Sequence, residues 1–599
     1  MKPVIEIISE KISTAIEKAT GQNVPAIVTP ATDPKFGDYQ SNNALALAKQ
    51  LKTNPRQLAE KIIAELKIDN ICQKPEIAGA GFINLRLKPE FVAENLHEIV
   101  SDKDRLGIEK TNKPETVVVD FSGPNIAKQM HVGHLRSTII GDCICRMLEQ
   151  QGHKVIRQNH IGDWGKPMGM VICAALHTIT NIDYMTGGSS GVNSELVFDK
   201  FIDLASLENL YKDMVLLVEK DAKANEEVQA VTSSLQTGKP FEIKLWNHAK
   251  QITLSECYGI YEKMGVKLTE KHTRGESFYK DMLSDVVAEL KKKELAVESD
   301  GAICVFPEGF KTKEGEPLPF IIQKTDGAFL YATTDLAALR YRINELKADE
   351  IIYVTDARQK QHFEMLFAVA KQAGWVKNTR LVHITFGSVL GEDGKPLKTR
   401  SGENVKLKEL LDEAVKRAKS VVEQKNAELP EDEKEKIAQA VGIGAVKYAD
   451  YSNNRTSDYI FSFDKMLAMD GNTAPYMQYA YARIKSIGRK GKEKGIDTEK
   501  ELKSVKKLYL DEAPELELAK QLIRYGEAFG SAIADFKPNF LTAYLFELAQ
   551  KFSAFYNSCP VLDAEPKIRP LRLLLCELTA RTIQHGLENL LGIEVVEKM

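Results

Sequence analysis

His131 and His134 stand three residues apart where a turn gives way to a helical pattern, and no other residues in the chain are better placed to do chemistry. They belong to Asp120-Phe-Ser-Gly-Pro-Asn-Ile-Ala-Lys-Gln-Met-His-Val-Gly-His-Leu-Arg-Ser-Thr-Ile-Ile-Gly-Asp142. At that spacing in a first helical turn both imidazoles can point the same way, and Gly133 between them leaves room for a base or ribose against the backbone. The N–H groups at a helix start lack intrahelical partners, and with imidazoles beside them they favour phosphate charge. This arrangement suits a nucleoside triphosphate. Standing alone, a His-x-Gly-His is short enough to occur by chance, and it would then be a helix start with two half-exposed histidines.

The elements that must position these residues are set by periodicity. Val117 to Phe121 predicts a buried strand, Gly123-Pro124-Asn125 a turn, and Leu135 to Gln150 a helix. From Thr116 to about Tyr448 strand and helix patterns alternate, as in a parallel sheet covered on both faces; the strand candidates are 117–121, 154–159, 302–306, 351–355 and 381–386. Residues 183–271 break the alternation with a Gly-Gly-Ser-Ser-Gly loop and then charged helical residues. They read as an insertion between the halves of a nucleotide fold, too helical and too short for a second hydrolytic site.

Residues 1–112 form a separate unit. It has an amphipathic helix (Val4, Ile5, Ile8, Ile12, Ile16), a polar stretch Phe36-Gly-Asp-Tyr-Gln40, a helix to Leu66 and a strand over Gly81 to Leu87. The charged segment Ser101 to Glu115 separates it from the strand at Val117. Beyond Arg455 the periodicity is helical, as in a bundle.

At 599 residues the chain is too long for one core, so two to four domains are expected. Lys+Arg 81 against Asp+Glu 84 leaves a formal charge of -3, so any nucleic acid must be met by local basic faces, with salt-sensitive affinity. One such face is Arg483 to Lys494, with Lys or Arg at 483, 485, 489, 490, 492 and 494 and one acid, Glu493. Most runs of this kind are solvated helix ends, but this one adjoins Tyr476, Tyr479 and Tyr481, and aromatics beside cations suit unpaired bases. Eight scattered cysteines without a Cys-x-x-Cys pair argue for a reduced compartment and against a zinc or disulfide framework. No apolar run reaches membrane-spanning length, and acids in the first ten residues are unlike a transit peptide; the expected location is the cytoplasm.

Residues 120–142 resemble the signature of class I aminoacyl-tRNA synthetases, and Ser-Gly-Pro-Asn-Ile-Ala-Lys ahead of His131 is similar to the arginyl-tRNA synthetases in particular. The resemblance continues in order through Asn159-His-Ile-Gly-Asp-Trp-Gly165, Gly327-Ala-Phe-Leu-Tyr-Ala-Thr-Thr-Asp335, Tyr353-Val-Thr-Asp-Ala-Arg-Gln-Lys-Gln-His362, Lys395-Pro-Leu-Lys-Thr-Arg-Ser-Gly402 and Gly471-Asn-Thr-Ala-Pro-Tyr-Met-Gln-Tyr-Ala-Tyr-Ala-Arg483. It implies an α/β class I synthetase fold: a Rossmann-like parallel-sheet catalytic domain over 113–454, interrupted at about 183–271. An α+β N-terminal domain (1–112) would touch the outer corner of the tRNA, or serve only as a packing module. An all-α anticodon-binding bundle would occupy 455–599. The implied reaction joins L-arginine to tRNA(Arg) through an arginyl-adenylate for protein synthesis. ATP would be a substrate accompanied by magnesium, no zinc would be bound, and the chain would act as a monomer.

The same resemblance assigns residues. His131 and His134 would be catalytic, and ATP would be held by Ser122, His131, Gly133, His134 and Lys398. The Lys-Met-Ser-Lys-Ser-like loop of this class reads Pro396-Leu-Lys-Thr-Arg-Ser-Gly402 here, so Arg400 replaces the second lysine. In relatives with that departure a lysine just before the histidines compensates, and Lys128 stands there; a point charge and a planar fork are not equivalent on phosphate. An arginine guanidinium has five donors and asks for in-plane carboxylates. The resemblance puts Asp120, Tyr331 and Asp335 around it, with Asn125, Asn159 and Gln359 near the other polar atoms. For tRNA the basic and aromatic run itself marks Tyr479, Arg483, Lys485 and Arg489. From the residues alone, Asp335 could equally be a helix cap or first-turn acid. Asp163 and Trp164 could be structural, and His362 could line the site or satisfy a buried group. Another class I synthetase, a small-molecule nucleotidylyltransferase and a silent RNA-binding relative are the rival readings. The paired histidines and acids speak against silence, and the helical C-terminal part against the nucleotidylyltransferase.

Overall fold

A computed structural model describes residues 1–185, 203–399, 402–505 and 508–599. Its central sheet has four parallel strands in the spatial order Arg380–Phe386, Glu350–Asp356, Thr116–Asp120, Lys154–Gln158. Val117, Val118 and Val119 are buried, as are Ile351 to Val354, because helices cover both faces and a strand buried on two sides is near-continuously apolar. The chain leaves Thr116–Asp120 toward Lys154–Gln158 on one side and later returns to Glu350–Asp356 on the other. That reversal opens a crevice at the carboxyl ends of the strands, where α/β sheets bind ligands.

The helix Val132–Gln151 comes after the first strand and is buried along most of its length. It packs so closely on the strand end that a Cβ at Gly141 would lie 2.2 Å from the Phe121 ring. Arg136 anchors it from the far side: its guanidinium pairs with Asp450 at 2.9 Å, both side chains 1% exposed, and donates to the carbonyls of Gly387 and Ser457. This buried pair holds the helix to Glu431–Tyr451 with the Arg136 charge matched by that of Asp450.

One strand expectation changes place. Ala302–Val305 lies with Ala296–Ser299 and Phe320–Gln323 in a separate antiparallel sheet, outside the parallel one. The cause is local: Asp300 and Gly301 both have positive φ (52° and 77°), the geometry of a two-residue hairpin that turns the strand back on its predecessor.

The insertion is helical. Leu204–Lys220, Ala222–Gln236 and Pro240–Lys263 pack with Lys166–Met185 around Ile172, Ala175, Leu207 and Leu235. The Gly-Gly-Ser-Ser-Gly loop lies outside the described residues.

At the N-terminus a four-stranded antiparallel sheet (Val28–Pro30, Tyr39–Ser41, Phe82–Leu85, Glu76–Ala78) is covered by the helices Val4–Thr20 and Pro55–Glu65. The stretch Phe36–Gln40 turns out to be a docking element. Buried Tyr39 donates to Glu527 Oε1 at 2.6 Å, the Ile5 N–H donates to the same oxygen at 2.8 Å, and Lys520 pairs with Asp38 at 2.9 Å. Burial pushes the Glu527 carboxyl above its ordinary value.

After Tyr459–Ile460, which pairs with Val389–Leu390, the described C-terminal residues are helical, from Ala474–Glu493 to Arg569–Gln584. No helix among the described residues is long and apolar enough to cross a membrane.

Candidate active site

The two histidines cap their own helix. His131 is the N-cap residue; its Nδ1 accepts from the Gly133 N–H at 3.0 Å, and His134 Nδ1 accepts from the His131 N–H at 3.1 Å. Each ring therefore has its Nδ1 committed as an acceptor, so in the neutral form each carries its proton on Nε2. Burial is the main force on both: it lowers the His131 pKa and drives that of His134 down to about 3. The site thus offers two neutral N–H donors, where imidazolium charge would have been the simplest guess. Gly133 has a task within the cap itself. A Cβ there would come within 2.7 Å of the His131 ring, so the glycine clears space for the cap before any nucleotide arrives.

The turn before the helix is held in an uncommon conformation. Ser122 and Gly123 have φ of 76° and 58°, left-handed values that a serine adopts only when its surroundings insist. Ser137 of the helix accepts the Ser122 N–H at 2.9 Å, and Asn159 Oδ1 accepts the Gly123 N–H at 3.0 Å. The Ser122 hydroxyl is shared with Tyr261 (2.7 Å) and Thr138 (2.9 Å). Asn159 is 0% exposed and its Nδ2 lies 3.3 Å from the Tyr261 hydroxyl. Ser122 and Asn159, expected to touch ATP and arginine, thus shape the turn from below. Asn125 is exposed, with its backbone paired to Gly162.

Across the crevice, Tyr331 and Asp335 stand one turn apart on the helix Tyr331–Asn344. The helix starts four residues before Asp335, which settles its alternative role: the N-cap position is Leu330 and Asp335 caps nothing. Its carboxylate accepts from His362 Nε2 at 2.7 Å and lies 3.9 Å from His160 Nε2. Tyr331 is 64% exposed, its ring 5.1 Å from that of His362, and Gln359 is exposed at the same mouth. His362 therefore lines the site.

Two turns beyond Asp335 the same helix carries Arg342, fully buried, which sequence spacing alone did not single out. Strand register puts Asp120 level with Gln158 and Tyr353, and Arg342 meets all three: Nη2 donates to Asp120 at 2.8 Å, Nε to Gln158 at 3.1 Å, and the guanidinium lies 5.1 Å from the Tyr353 ring. Asp120, expected beside a substrate guanidinium, is answered by the chain's own arginine.

A second acid was also missed. Glu276 is pushed up to about 7, first by burial and then by the charges of Asp163 and Asp335. Asp163 itself is structural: fully buried, it accepts from Lys250 at 2.6 Å and from the Ser277 N–H and hydroxyl, while Trp164 packs edge-on against Trp246.

The segment that follows the 396–402 motif, Val405 to Leu407, pairs with the backbone beside the histidines. Val132 N–H donates to Val405 and Leu407 N–H to Met130, both at 2.9 Å, so the two motifs share a ladder. Between them lies a cleft of about 290 Å³ that Lys128, His131, Lys398 and Lys406 line. Arg400 lies outside the described residues.

Comparison with known proteins agrees along the whole chain. Residues 95–463 match the family model "tRNA synthetases class I (R), catalytic domain", residues 6–87 match "Arginyl tRNA synthetase N terminal domain", and residues 477–599 match "DALR anticodon binding domain". The arginine–tRNA ligase of Picosynechococcus sp. is 48% identical over 100% of both chains, and that of Chromobacterium violaceum 44% over 99% of both. The chain belongs to the arginyl-tRNA synthetases. Solved members of the family have the same fold: the synthetase of Plasmodium falciparum superposes with a TM-score of 0.82 at 32% identity, and that of Thermus thermophilus with 0.78 at 25%, each over 100% of both chains.

In this synthetase the expected tRNA-facing residues share the helix Ala474–Glu493 but are not all free. Tyr479 is exposed; Arg483 stacks on Tyr556 at 4.7 Å; Lys485 lies 4.0 Å from Glu597, whose carbonyl accepts from Arg489 at 3.1 Å. Tyr481 is core and Tyr476 packs edge-on against Phe546, so of the three tyrosines only Tyr479 offers an open face.

Proposed function

We infer that this synthetase joins L-arginine to tRNA(Arg) in two steps at the crevice between Thr116–Asp120 and Glu350–Asp356. An arginine carboxylate oxygen attacks the α-phosphorus of ATP, the bond to the β-phosphate bridge breaks, and pyrophosphate leaves. A ribose hydroxyl of the tRNA then attacks the adenylate carbonyl, AMP leaves, and the hydroxyl proton passes to solvent or to the departing phosphate. No protein nucleophile is needed; the enzyme's part is orientation and stabilisation of charge on the phosphoryl oxygens.

The observation that carries this reading is the cleft lined by Lys128, His131, Lys398 and Lys406 at the carboxyl ends of the parallel strands, with the Asp335 carboxylate, His362 and Tyr331 grouped on the helices that follow. His131 and His134 donate through Nε2 to the phosphates, and Lys128, Lys398 and Arg400 balance their charge. Asp335, Glu276 and Tyr331 meet the guanidinium, and Gln359 and Asn125 meet the rest of the amino acid. Magnesium arrives on the nucleotide. Glu208 and Glu403, the carboxylates lining the phosphate cleft among the described residues, are both engaged by lysines. Tyr479, Arg483, Lys485 and Arg489 contact the tRNA. We place the three working units at 1–112, 113–454 and 455–599, in a single chain that supplies every group named. The eight cysteines are unpaired and buried, as suits the reducing cytoplasm.

Glu276 makes the reaction pH-dependent. With its pKa raised to about 7, it is protonated below neutrality in the free enzyme, and guanidinium binding favours the ionised form. Arginine affinity is therefore expected to rise with pH through 7 and level off above it, with a proton released on binding below 7. Calorimetry in buffers of differing ionisation heat reads that proton; in Glu276→Gln the slope disappears. A Glu276→Gln enzyme that keeps the wild-type pH profile removes Glu276 from the pocket.

The test of the function is charging by the full chain. Incubated with ATP, magnesium, tRNA and each amino acid in turn, it is expected to form aminoacyl-tRNA with arginine alone. Charging with a different amino acid, or nucleotide transfer to a small acceptor without tRNA, contradicts it.

A further inference from the structure

The insertion helix Leu204–Lys220 presents three residues of one face, Glu208, Tyr211 and Lys212, to the phosphate cleft. Glu208 is 9% exposed and touches both motifs at once. Its carboxylate accepts the Gln129 N–H at 3.2 Å, two residues before His131, and both oxygens accept from Lys406 at 2.7 and 2.6 Å. Tyr211 holds its ring 4.7 Å from the Lys128 ammonium. Lys212 lies 2.9 Å from Glu403 and 3.4 Å from Glu208.

These contacts differ in strength, and the difference separates their roles. The Glu208–Lys406 pair is largely desolvated, and losing one partner would strand a charge. The Lys212 and Glu403 side chains are 43% and 56% exposed, and a pair that wet is weak. Lys212 is thus held near the phosphate path by a bond that a polyanion can outcompete.

Resting on the arginine-ligase reading, we propose that this helix face is a working wall of the ATP cleft. Glu208 is a positioning residue that ties the Lys406 and Gln129 segments together beside His131. Tyr211 seats Lys128, and Lys212 is a phosphate ligand that exchanges Glu403 for the nucleotide when ATP binds. The insertion then contributes to activation directly, beyond separating the two halves of the sheet.

Steady-state kinetics of the full chain, with tRNA present, tests this. Lys212→Met is expected to raise the ATP KM roughly tenfold, the worth of one charge-assisted bond, and the pyrophosphate KM in the exchange direction likewise. The arginine KM stays within about twofold in that variant. Glu208→Gln raises the ATP KM roughly 10- to 100-fold, and Glu208→Asp recovers part of it. Tyr211→Leu, which removes the ring facing the Lys128 ammonium, raises the ATP KM as well. Two outcomes overturn the proposal: an unchanged ATP KM in both Lys212→Met and Glu208→Gln, or arginine and ATP KM rising together with a lowered melting temperature. Direct ATP titration of wild type and variants distinguishes failure of the wall from failure of the arginine reading. Wild type that binds ATP but fails to charge arginine defeats the arginine reading, whereas normal titrations of both Lys212→Met and Glu208→Gln defeat only the wall.

Discussion

Replacing His134 by Ala is expected to lower turnover roughly 10²- to 10³-fold, the range for removing one preorganised donor from a developing oxyanion. The arginine KM should hardly move, because an interaction made only as charge builds on the phosphoryl group acts on the rate. The donor in question is the Nε2–H of a neutral ring. Its Nδ1 already accepts from the His131 N–H, and burial keeps its pKa near 3. Turnover should therefore show no inflection near pH 6.5. The sign for stability is the opposite of a salt-bridged histidine: the unfolded ring takes up a proton near pH 6.5 and the folded one resists, so stability is lost as pH falls below that value. His134 also completes the helix cap, and His134→Gln separates the two duties, since glutamine at this position can accept the same backbone N–H. Single-turnover pyrophosphate exchange with tRNA present reads the effect. Near-normal exchange in His134→Ala, or full recovery in His134→Gln, would assign the ring to capping alone.

The second large effect belongs to Asp335→Asn. The exchange keeps shape and the contact to His362 while removing the charge that faces the guanidinium, so roughly 2–5 kcal/mol should be lost from arginine kcat/KM, as when one side of a desolvated charge pair is truncated. The ATP KM should change little. A helix-capping role would predict general damage, but the helix begins at Tyr331, and Asp335 stands in its second turn with no cap contact. Equal loss for arginine and ATP would contradict the specific role.

What the sequence disclosed depends on how local each feature is. The central parallel strands at 116–120 and 350–356 are legible because a strand buried on both faces carries a near-continuous apolar run, and the edge strands at 154–158 and 380–386 show shorter, mixed runs that match their half-buried positions. Ala302–Val305 has a similar run, and only its Asp300-Gly301 turn, a signal present in the sequence but outweighed by the α/β alternation, assigns it to a different sheet. The histidine cap is equally local, since a side chain three residues after an N-cap is the spacing of a capping box. Arg342 and Glu276 were hidden for a different reason. Arg342 meets Asp120 across 222 residues of chain, and Glu276 acquires its raised pKa first from burial and then from Asp163 and Asp335, all of which arise only after folding. Tyr331, Asp335 and Arg342 do share a helical face at spacings of four and seven, the one trace of that pocket a linear reading could have found.

Recognition of arginine by charge is tested most directly with citrulline, which replaces the guanidinium by a neutral urea of nearly the same shape. The ratio of kcat/KM for arginine over citrulline, measured by tRNA charging, should be on the order of 10³ or more in the wild-type enzyme, because a site built around a cation leaves its acids unpaired with a neutral analogue. In Asp335→Asn the ratio should collapse toward unity through loss of arginine activity. A wild-type enzyme that charges citrulline nearly as well as arginine, or an Asp335→Asn variant that keeps the full ratio, would contradict an acid-built guanidinium pocket.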